Sequence, residues 1–287
     1  MRTGITFDLY GGGYNQYGEN SYKKIKEHGW SCIDFALTDT NSPFYNSPFE
    51  ETKSILLREK ERAEAAGIEI WQVHGPWRWP PRDYTPEDRA ERMEKMKKSI
   101  RFCNILGCRN WVVHPIMPFG IEDIGTGNEQ ATWDMNLEFM QELLLTAKEN
   151  DVTICLENMP MLKFSLAKPS EILRFVKTIN DDNFKICLDT GHVSVFEELD
   201  LAKCICELGK EIRVLHVHDN KKSLDLHMFP YFGVIDWQSV SEALRSIEFD
   251  GVLSLESLLP KMPDMEIFEC MCLHLSKLAK KIANEAE

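Results

Sequence analysis

The sequence contains no apolar run that approaches the roughly 18 residues needed to cross a membrane. Its first residues, MRTGITFDLYGGG, also lack the apolar core of a secretory signal peptide. Basic residues are scarce, because 33 Lys and Arg stand against 46 Asp and Glu, and the net charge of −13 repels nucleic acids and anionic membranes at long range. We therefore expect a cytoplasmic protein that has neither a membrane nor a nucleic acid as its partner.

Cysteine is present nine times, but no two cysteines have the Cys-x-x-Cys spacing of many zinc and redox sites. The closest pairs, Cys204/Cys206 and Cys270/Cys272, fall in segments with helical spacing. Others lie in short apolar runs, where a thiol behaves as a small core residue. We interpret all nine as reduced, structural cysteines.

What the sequence does contain is a short apolar run that recurs eight times along 287 residues. Charged stretches with helical spacing, such as ETKSILLREKERAEAAG, separate the runs, and several end at a glycine suited to a helix C-cap. Eight strand–helix units without a Ser/Gly-rich linker predict one domain over 1–287, a single (β/α)8 TIM barrel. The predicted strands are residues 5–9, 32–36, 68–74, 110–114, 152–157, 184–189, 212–218 and 252–256.

A doubly wound open sheet is the alternative fold for this alternation. It would be supported by a G-x-G-x-x-G phosphate-binding fingerprint, and the sequence has none. The Gly-Gly-Gly segment at 11–13 lacks that spacing and is interpreted as a loop. The barrel is therefore the preferred prediction.

Six of the predicted strands alternate bulky apolar residues with smaller or polar ones. In the third strand, for example, Trp71 and Val73 flank Gln72 and His74. Because one face of a barrel strand packs on helices and the other points into the lumen, the bulky residues are predicted to face the helices. The last inward residues are then acids or histidines at the carboxyl mouth, where barrel enzymes place their chemistry: His74, His114, Glu157, Asp189, His216 with His218, and Glu256.

Burying several carboxylates together without a counter-charge costs on the order of several kcal/mol per ion. Mixed imidazole and carboxylate ligands suit zinc, manganese, cobalt or iron, so we predict a divalent metal site. Singly, each residue has a structural explanation; Asp189 could cap the following helix and His114 could end its strand with a hydrogen bond. Asp8 and Asp34 also fall at inward strand ends, where structural hydrogen bonding is an equal alternative.

The segment HGPWRWPPRDY, residues 74–84, follows the third strand and is predicted to overhang the mouth. Trp77 and Trp79 could stack on a sugar ring or a base, or pack on each other as a lid. Arg78 and Arg82 could bind an anionic group or face solvent. The exposed aromatic residues would serve a homodimer contact equally well.

These features together resemble the xylose isomerase-like barrels, a superfamily that includes sugar epimerases, hydroxypyruvate isomerase, inosose and dehydroshikimate dehydratases, and endonuclease IV. The resemblance spans essentially the whole chain, and its motifs are specific for the superfamily rather than for one reaction. They are VHGPW (73–77), VVHP (112–115), CLENMP (155–160), CLDTGH (187–192), HVHDN (216–220), LDLH (224–227), GVIDW (233–237) and LSLES (253–257).

Resemblance to the epimerase branch implies that Glu157, Asp189, His216 and Glu256 hold one divalent metal, zinc or manganese, with cobalt, magnesium or iron as alternatives. The two glutamates would also be the acid–base pair of a sugar or sugar-phosphate isomerase or epimerase. A related metal-dependent dehydratase and a non-enzymatic sugar sensor remain alternatives.

The same branch implies that His192 and Lys222 bind substrate oxygens, although Lys222 stands where such epimerases carry arginine. Trp77 and His218 are two further candidate substrate contacts. The loop Tyr231-Phe232-Gly233 also differs from the Gly-Glu-Gly turn that precedes Ile-Asp-Trp in many relatives, so the substrate does not follow from the resemblance.

Resemblance to endonuclease IV implies a larger set of ligands and a different reaction. In that case further residues would join the first four in a three-zinc phosphodiesterase site: His74, His114, His192, Asp225 and His227. The net charge and the absence of a dense Lys/Arg stripe argue against DNA as the substrate.

Overall fold

The computed structural model describes residues 1–10, 17–259 and 264–284. Within these ranges eight parallel strands form one sheet in the order β7-β6-β5-β4-β3-β2-β1-β8. The strands are β1 (Arg2–Thr6), β2 (Cys32–Ala36), β3 (Glu69–His74), β4 (Asn110–Val113), β5 (Thr153–Glu157), β6 (Phe184–Asp189), β7 (Ile212–His216) and β8 (Val252–Leu255).

The two end strands of this sheet meet through a parallel bridge between Val217 and Leu255. The N–H of Val217 donates to the carbonyl of Ser254 (2.9 Å), and the N–H of Glu256 donates to the carbonyl of Val217 (3.0 Å). These bonds bring β7 and β8 together at their carboxyl ends. The predicted (β/α)8 barrel is thereby confirmed, and the open-sheet alternative is wrong.

Helices connect the strands and surround the barrel. None of those in the described ranges is both long and apolar enough to span a membrane. Their bounds are α1 (Ser21–Glu27), α2 (Pro43–Asn46), α3 (Phe49–Ala65), α4 (Pro86–Ile105), α5 (Glu129–Glu149), α6 (Pro169–Ile179), α7 (Thr190–Ser194), α8 (Leu201–Leu208), α9 (Trp237–Ser246) and α10 (Met265–Ala283).

Helix ends follow the local signals in the sequence. α4 begins at Pro86 after a capping box, in which Thr85 accepts from the N–H of Asp88 and the Asp88 carboxylate accepts from the N–H of Thr85. Gly107 follows the end of the same helix with a φ of 76°, a backbone conformation that glycine adopts without steric cost. The two close cysteine pairs lie on α8 and α10, as their spacing predicts.

The alternation along the strands separates two buried clusters. A small one fills the lumen and contains Val112, Cys155, Cys187 and Val214. The bulky apolar residues that neighbour these four along their strands belong to the larger core between the barrel and the helices. Because each fully buried aliphatic side chain contributes about 1.5–3 kcal/mol, this division fixes which face of each strand points inward.

The prediction that Trp71 faces the helices was wrong. It packs against the lumen cluster, and the guanidinium groups of Arg2 and Arg213 lie 5.0 and 5.1 Å from its ring. The pairing of β2 with β3 runs from Ile33–Ile70 directly to Asp34–Gln72, so Trp71 is an extra residue in the register. Such a bulge re-aims a side chain, which simple alternation does not predict.

The first strand was also misplaced, because β1 ends at Thr6 and residues Phe7–Leu9 form a 3₁₀ turn. Asp8 therefore lies on this turn and not at a strand end. The Gly-Gly-Gly segment at 11–13, which was interpreted as a loop, lies outside the described residues.

Candidate metal centre

Four side chains from neighbouring strands converge at the carboxyl mouth of the barrel. Glu157 ends β5, Asp189 ends β6, His216 ends β7, and Glu256 follows β8. Each offers one ligand atom, and these atoms all lie within 4.8 Å of one another. The Nδ1 atom of His216 is 3.0 Å from Glu157 Oε1 and 3.3 Å from Glu256 Oε2. The structure thus brings together the first four residues that the sequence nominated.

Burial and charge make this group a good fit for a cation. Asp189 and His216 are fully buried and Glu157 is 1% exposed. Burial raises the pKa of Glu157, but His216 and His114 together lower it by more, so that the pKa lies well below its ordinary value. Burial lowers the pKa of His216, while groups that include Glu256 and Glu157 raise it well above its ordinary value. The carboxylates therefore require a positive charge among them, which a divalent ion would supply more strongly than one imidazolium.

Asp34 orients the histidine of this group. Its Oδ2 atom lies 2.9 Å from His216 Nε2 and also accepts a hydrogen bond from the side-chain amide of Gln72 (3.0 Å). Carboxylates commonly hold the distal nitrogen of a metal-binding histidine in this way. The Nδ1 atom of His216 is therefore the one available as a ligand. Asp34 has a structural role, which is to hold this ring by a hydrogen bond.

A second group of ligand atoms lies beside the first. His192, His218, Asp225 and His227 also offer atoms within 4.8 Å of one another. The Nε2 atoms of His192 and His227 are 3.4 and 3.5 Å from Asp225 Oδ2. Ligands about 2.1 Å from a tetrahedral cation are about 3.4 Å apart, so these separations match the edges of a coordination polyhedron.

The distal nitrogens of two histidines in the second group are already bonded. His192 Nδ1 lies 2.7 Å from the carbonyl of Asn158, and His227 Nδ1 lies 2.9 Å from the carbonyl of Glu256. These bonds direct Nε2 of both rings toward Asp225. Without a cation, burial lowers the pKa of each histidine, but nearby carboxylates such as Asp225 raise it, to about 10 for His192 and about 9 for His227.

His218 joins the two groups. Its Nε2 atom is 3.0 Å from Asp189 Oδ2 and 3.8 Å from Asp225 Oδ1, and its ring stacks on His227 with centroids 4.0 Å apart. The sequence analysis placed His218 beside His216 in the cavity and favoured His216 as the ligand, whereas the structure brings His218 as well into a group of possible ligands. Its alternation with His216 along one strand was the signal available.

His74 and His114 border the first group on its other side. His114 Nε2 is 3.0 Å and His74 Nε2 is 3.6 Å from Glu157 Oε2. Burial lowers the pKa of His114 to about 4, so its imidazole is neutral and keeps a lone pair for a cation or a hydrogen bond. His74, Glu157 and His216 form a third set of ligand atoms within 4.8 Å, so Glu157 is shared between sets.

The loop between β7 and α9, which carries Asp225 and His227, is folded around one carboxylate. Asp219 is fully buried and accepts four hydrogen bonds, from the N–H groups of Asn220, Tyr231 and Ile235 and from the indole of Trp237. Sequence reasoning missed this role. The signal is weak, because a buried acid and a ligand acid look alike in HVHDN.

The remaining predicted substrate contacts lie in two places. The Trp77 ring is 4.9 Å from the His114 ring and 6.0 Å from Trp79, so Trp77 borders the site. Arg78 pairs with Glu91 and donates to the carbonyl of Arg82, which favours a structural role for it. Trp79 and Tyr84 are more than half exposed, and the homodimer contact remains a prediction.

Lys222 is exposed and lines a different cavity. This cavity has a volume of about 420 Å³, lies between α7, α8 and α9, and includes Phe196, Leu199 and Asp236 in its wall. Lys222 has no hydrogen bond or ion pair to the ligand groups among those the described residues form. A substrate contact by Lys222 remains a prediction.

A barrel whose strand ends present histidines and carboxylates at one mouth defines the class of protein. Residues 22–269 match the family model described as xylose isomerase-like TIM barrel, and the chain belongs to this family. The D-psicose 3-epimerase of Enterocloster bolteae is 30% identical over 262 residues, which cover 88% of this chain and 82% of that protein. The probable endonuclease 4 of Mycoplasmopsis agalactiae is 24% identical over 192 residues, 63% of this chain and 66% of its own.

Solved structures share the fold. D-psicose 3-epimerase from Clostridium cellulolyticum H10, determined with D-tagatose, matches with a TM-score of 0.77 at 18% identity and covers 98% of this chain and 99% of that one. A D-tagatose 3-epimerase-like protein matches with a TM-score of 0.74 at 24% identity, over 99% of both chains.

Proposed function

We propose that this protein is a divalent-metal-dependent isomerase or epimerase of a sugar or sugar phosphate. The observation that carries the proposal is the convergence of Glu157, Asp189, His216 and Glu256 from β5 to β8. The relative named D-psicose 3-epimerase, at 30% identity over most of both chains, supports the sugar isomerase/epimerase class.

The four residues would hold one cation, and their single imidazole and three carboxylates suit manganese, cobalt, magnesium, iron or zinc. A divalent cation held by these residues would supply Lewis-acid chemistry: it would stabilise the negative charge that develops on the substrate oxygen when the C–H beside the carbonyl loses its proton.

Proton transfer falls to the two glutamates. They reach the centre from β5 and from the end of β8, and Glu256 keeps 24% of its side chain exposed toward the mouth. Glu157 is ionised at neutral pH, which is the form that a general base requires. The other glutamate returns a proton to the opposite face of the same carbon.

His192, His218 and Trp77 complete the proposed substrate contacts. His192 and His218 adjoin the Asp189 carboxylate and can bond the sugar hydroxyls, while the Trp77 ring offers an apolar face to the sugar carbons.

Conversion of a panel of ketoses and ketose phosphates tests the proposal, with metal-free protein and protein reloaded with Mn²⁺, Co²⁺, Mg²⁺ or Zn²⁺. Glu157→Gln and Glu256→Gln are expected to remove turnover while leaving the melting temperature close to that of the wild type. Glu207→Gln, on the exposed face of α8, is the matched control and should behave as the wild type. Full turnover by both site variants would contradict the proton-transfer roles.

A zinc phosphoesterase is the second candidate. It is favoured by His74 and His114 beside Glu157 and by the second ligand group, since multinuclear sites stabilise phosphate-ester cleavage. Cleavage of an abasic oligonucleotide or of a small phosphate ester, lost in His114→Ala, would favour it over the epimerase. Loss of water from the sugar panel would instead identify a dehydratase.

A further inference from the structure

A buried ion pair lies just outside the candidate centre. Arg92 of α4 and Asp83 of the loop after β3 have side chains that are 12% and 1% exposed, and Arg92 Nη1 is 2.5 Å from Asp83 Oδ2. Removing both charges from water costs on the order of several kcal/mol per ion. Apolar side chains in place of such a pair often stabilise a protein equally well. The pair therefore calls for an explanation other than stability.

The guanidinium is shared between two loops and does not grip the carboxylate with both arms. Arg92 Nη2 donates to the carbonyls of His114 (3.1 Å) and Pro115 (3.4 Å), while Asp83 Oδ2 accepts from the N–H of Met117 (2.9 Å). Asp83 Oδ1 and Arg92 Nε have no hydrogen-bond partner among the described residues. The stronger bidentate pairing is thus replaced by bonds to the backbone that follows β4.

The backbone held in this way carries a side chain of the centre. The Nε2 atom of His114 is 3.0 Å from Glu157 Oε2, and the His114 ring has both His74 and Trp77 at 4.9 Å between centroids. Displacement of the His114 carbonyl would therefore displace a direct partner of Glu157.

We propose that Arg92 and Asp83 are positioning residues, which fix the loop after β4 so that His114 orients the Glu157 carboxylate. The proposal rests on the proposed function to the extent that Glu157 is the proton acceptor. It also links the loop of Trp77 to Glu157, because Asp83 lies at the far end of that loop.

Arg92→Lys tests the proposal, because lysine keeps the charge but lacks the planar fork that reaches both loops. Arg89→Lys is the matched control, since Arg89 lies one turn earlier and its side chain, among the bonds of the described residues, donates to the carbonyls of Asp83 and Tyr84 and not to the loop after β4. With the ketose converted by the wild type, we expect kcat of Arg92→Lys to fall about 10- to 100-fold with KM within about twofold. Arg89→Lys should keep kcat within about twofold.

The visible absorption spectrum of Co²⁺-loaded protein provides a readout that needs no substrate. Arg92→Lys is expected to change the intensity or position of the Co²⁺ bands, because the Glu157 ligand is reoriented, whereas Arg89→Lys should reproduce the wild-type spectrum. Should the wild type convert no sugar, the proposed function fails while this comparison still decides the positioning role.

Wild-type kcat and spectrum in Arg92→Lys would overturn the proposal, as would equal losses in Arg89→Lys. If Arg92→Lys does not fold, Asp83→Asn replaces it, because the amide keeps the size of the side chain and removes the charge that holds Arg92 in place. The same drop in kcat at unchanged KM is expected, and an Asp83→Asn protein indistinguishable from the wild type would again overturn the proposal.

Discussion

The Nδ1 atom of His216 lies 3.0 Å from the Oε1 atom of Glu157, and the two residues come from strands on either side of β6. Two ligands of one divalent cation are typically about 2.9–3.4 Å apart, so the same geometry that makes a hydrogen bond here also accepts a cation. Because Asp34 holds the other ring nitrogen, His216 cannot turn away from this position without losing that bond.

The two ligand groups are expected to contribute differently to turnover. Asp189→Asn removes a carboxylate beside the proton-transferring glutamates, so it should lower cation content by about one per chain and turnover by about 100-fold or more. Asp225→Asn makes the same isosteric change in the second group and should leave turnover within about tenfold of the wild type. Elemental analysis with ketose kinetics checks both, and loss of all turnover in Asp225→Asn would contradict this division.

Asp219 is expected to be essential for the loop that carries Asp225 and His227. An amide in Asp219→Asn has one acceptor oxygen, and because each carboxylate oxygen accepts two of the four bonds, two donors would be left unpaired at a cost of about 1.5–3 kcal/mol or more. Chemical denaturation measures that loss. Asp236→Asn, at the exposed cap of α9, is the control and should cost less.

Gly191 is expected to tolerate no side chain as long as His218 is present. A Cβ atom at Gly191 would lie 1.9 Å from His218 Cε1, so Gly191→Ala must displace the imidazole and should cost about 1–3 kcal/mol. In a His218→Ala background the same substitution should cost much less. Equal losses of unfolding free energy in both backgrounds would show that the contact is not responsible.

The turn that carries Asp8 gives a pH-dependent prediction for the metal-free protein. Burial and the charges of Asp34 and Glu256 raise the pKa of Asp8 to about 6, above its value in the unfolded chain. The folded state therefore favours protonated Asp8, and this stabilisation is complete below about pH 4 and is lost as the pH rises through about 6. Asp8→Asn should accordingly raise the unfolding free energy by as much as about 3 kcal/mol at pH 7.5.

At pH 4 the wild-type carboxyl group is already neutral, so Asp8→Asn should have little effect there. Denaturation of chelated protein at the two pH values measures the difference. Asp250→Asn, in the exposed loop before β8, serves as the control. A gain for Asp8→Asn that is the same at both pH values would rule out the charge of Asp8 as its cause.

Strand alternation predicted the barrel and the inward polar residues because the side-chain period of two is set by the backbone itself. It failed at Trp71, where an extra residue in the register reverses the facing of the side chain. Propensity also extended the first strand into residues Phe7–Leu9, since three apolar or acidic residues carry no signal for a 3₁₀ turn.

The supporting shell of the centre could not be predicted in the same way. The bonds of Arg92 to His114 and of Asp219 to the indole of Trp237 join residues that are 22 and 18 positions apart, through loops of irregular conformation. No periodicity relates such residues, so only the folded chain shows which polar side chains hold the others in place.

Deuterium incorporation from D₂O tests the central claim most directly. Cation-loaded wild-type protein is incubated with each ketose of the panel, and the product is analysed by mass spectrometry. If one of Glu157 and Glu256 removes a proton from the sugar and the other returns one, the product epimer carries one deuterium at the carbon beside the carbonyl. This incorporation should depend on the cation and should be absent with Glu157→Gln. No deuterium in any sugar, together with cleavage of a phosphate ester by the same preparation, would contradict the account and favour the phosphoesterase.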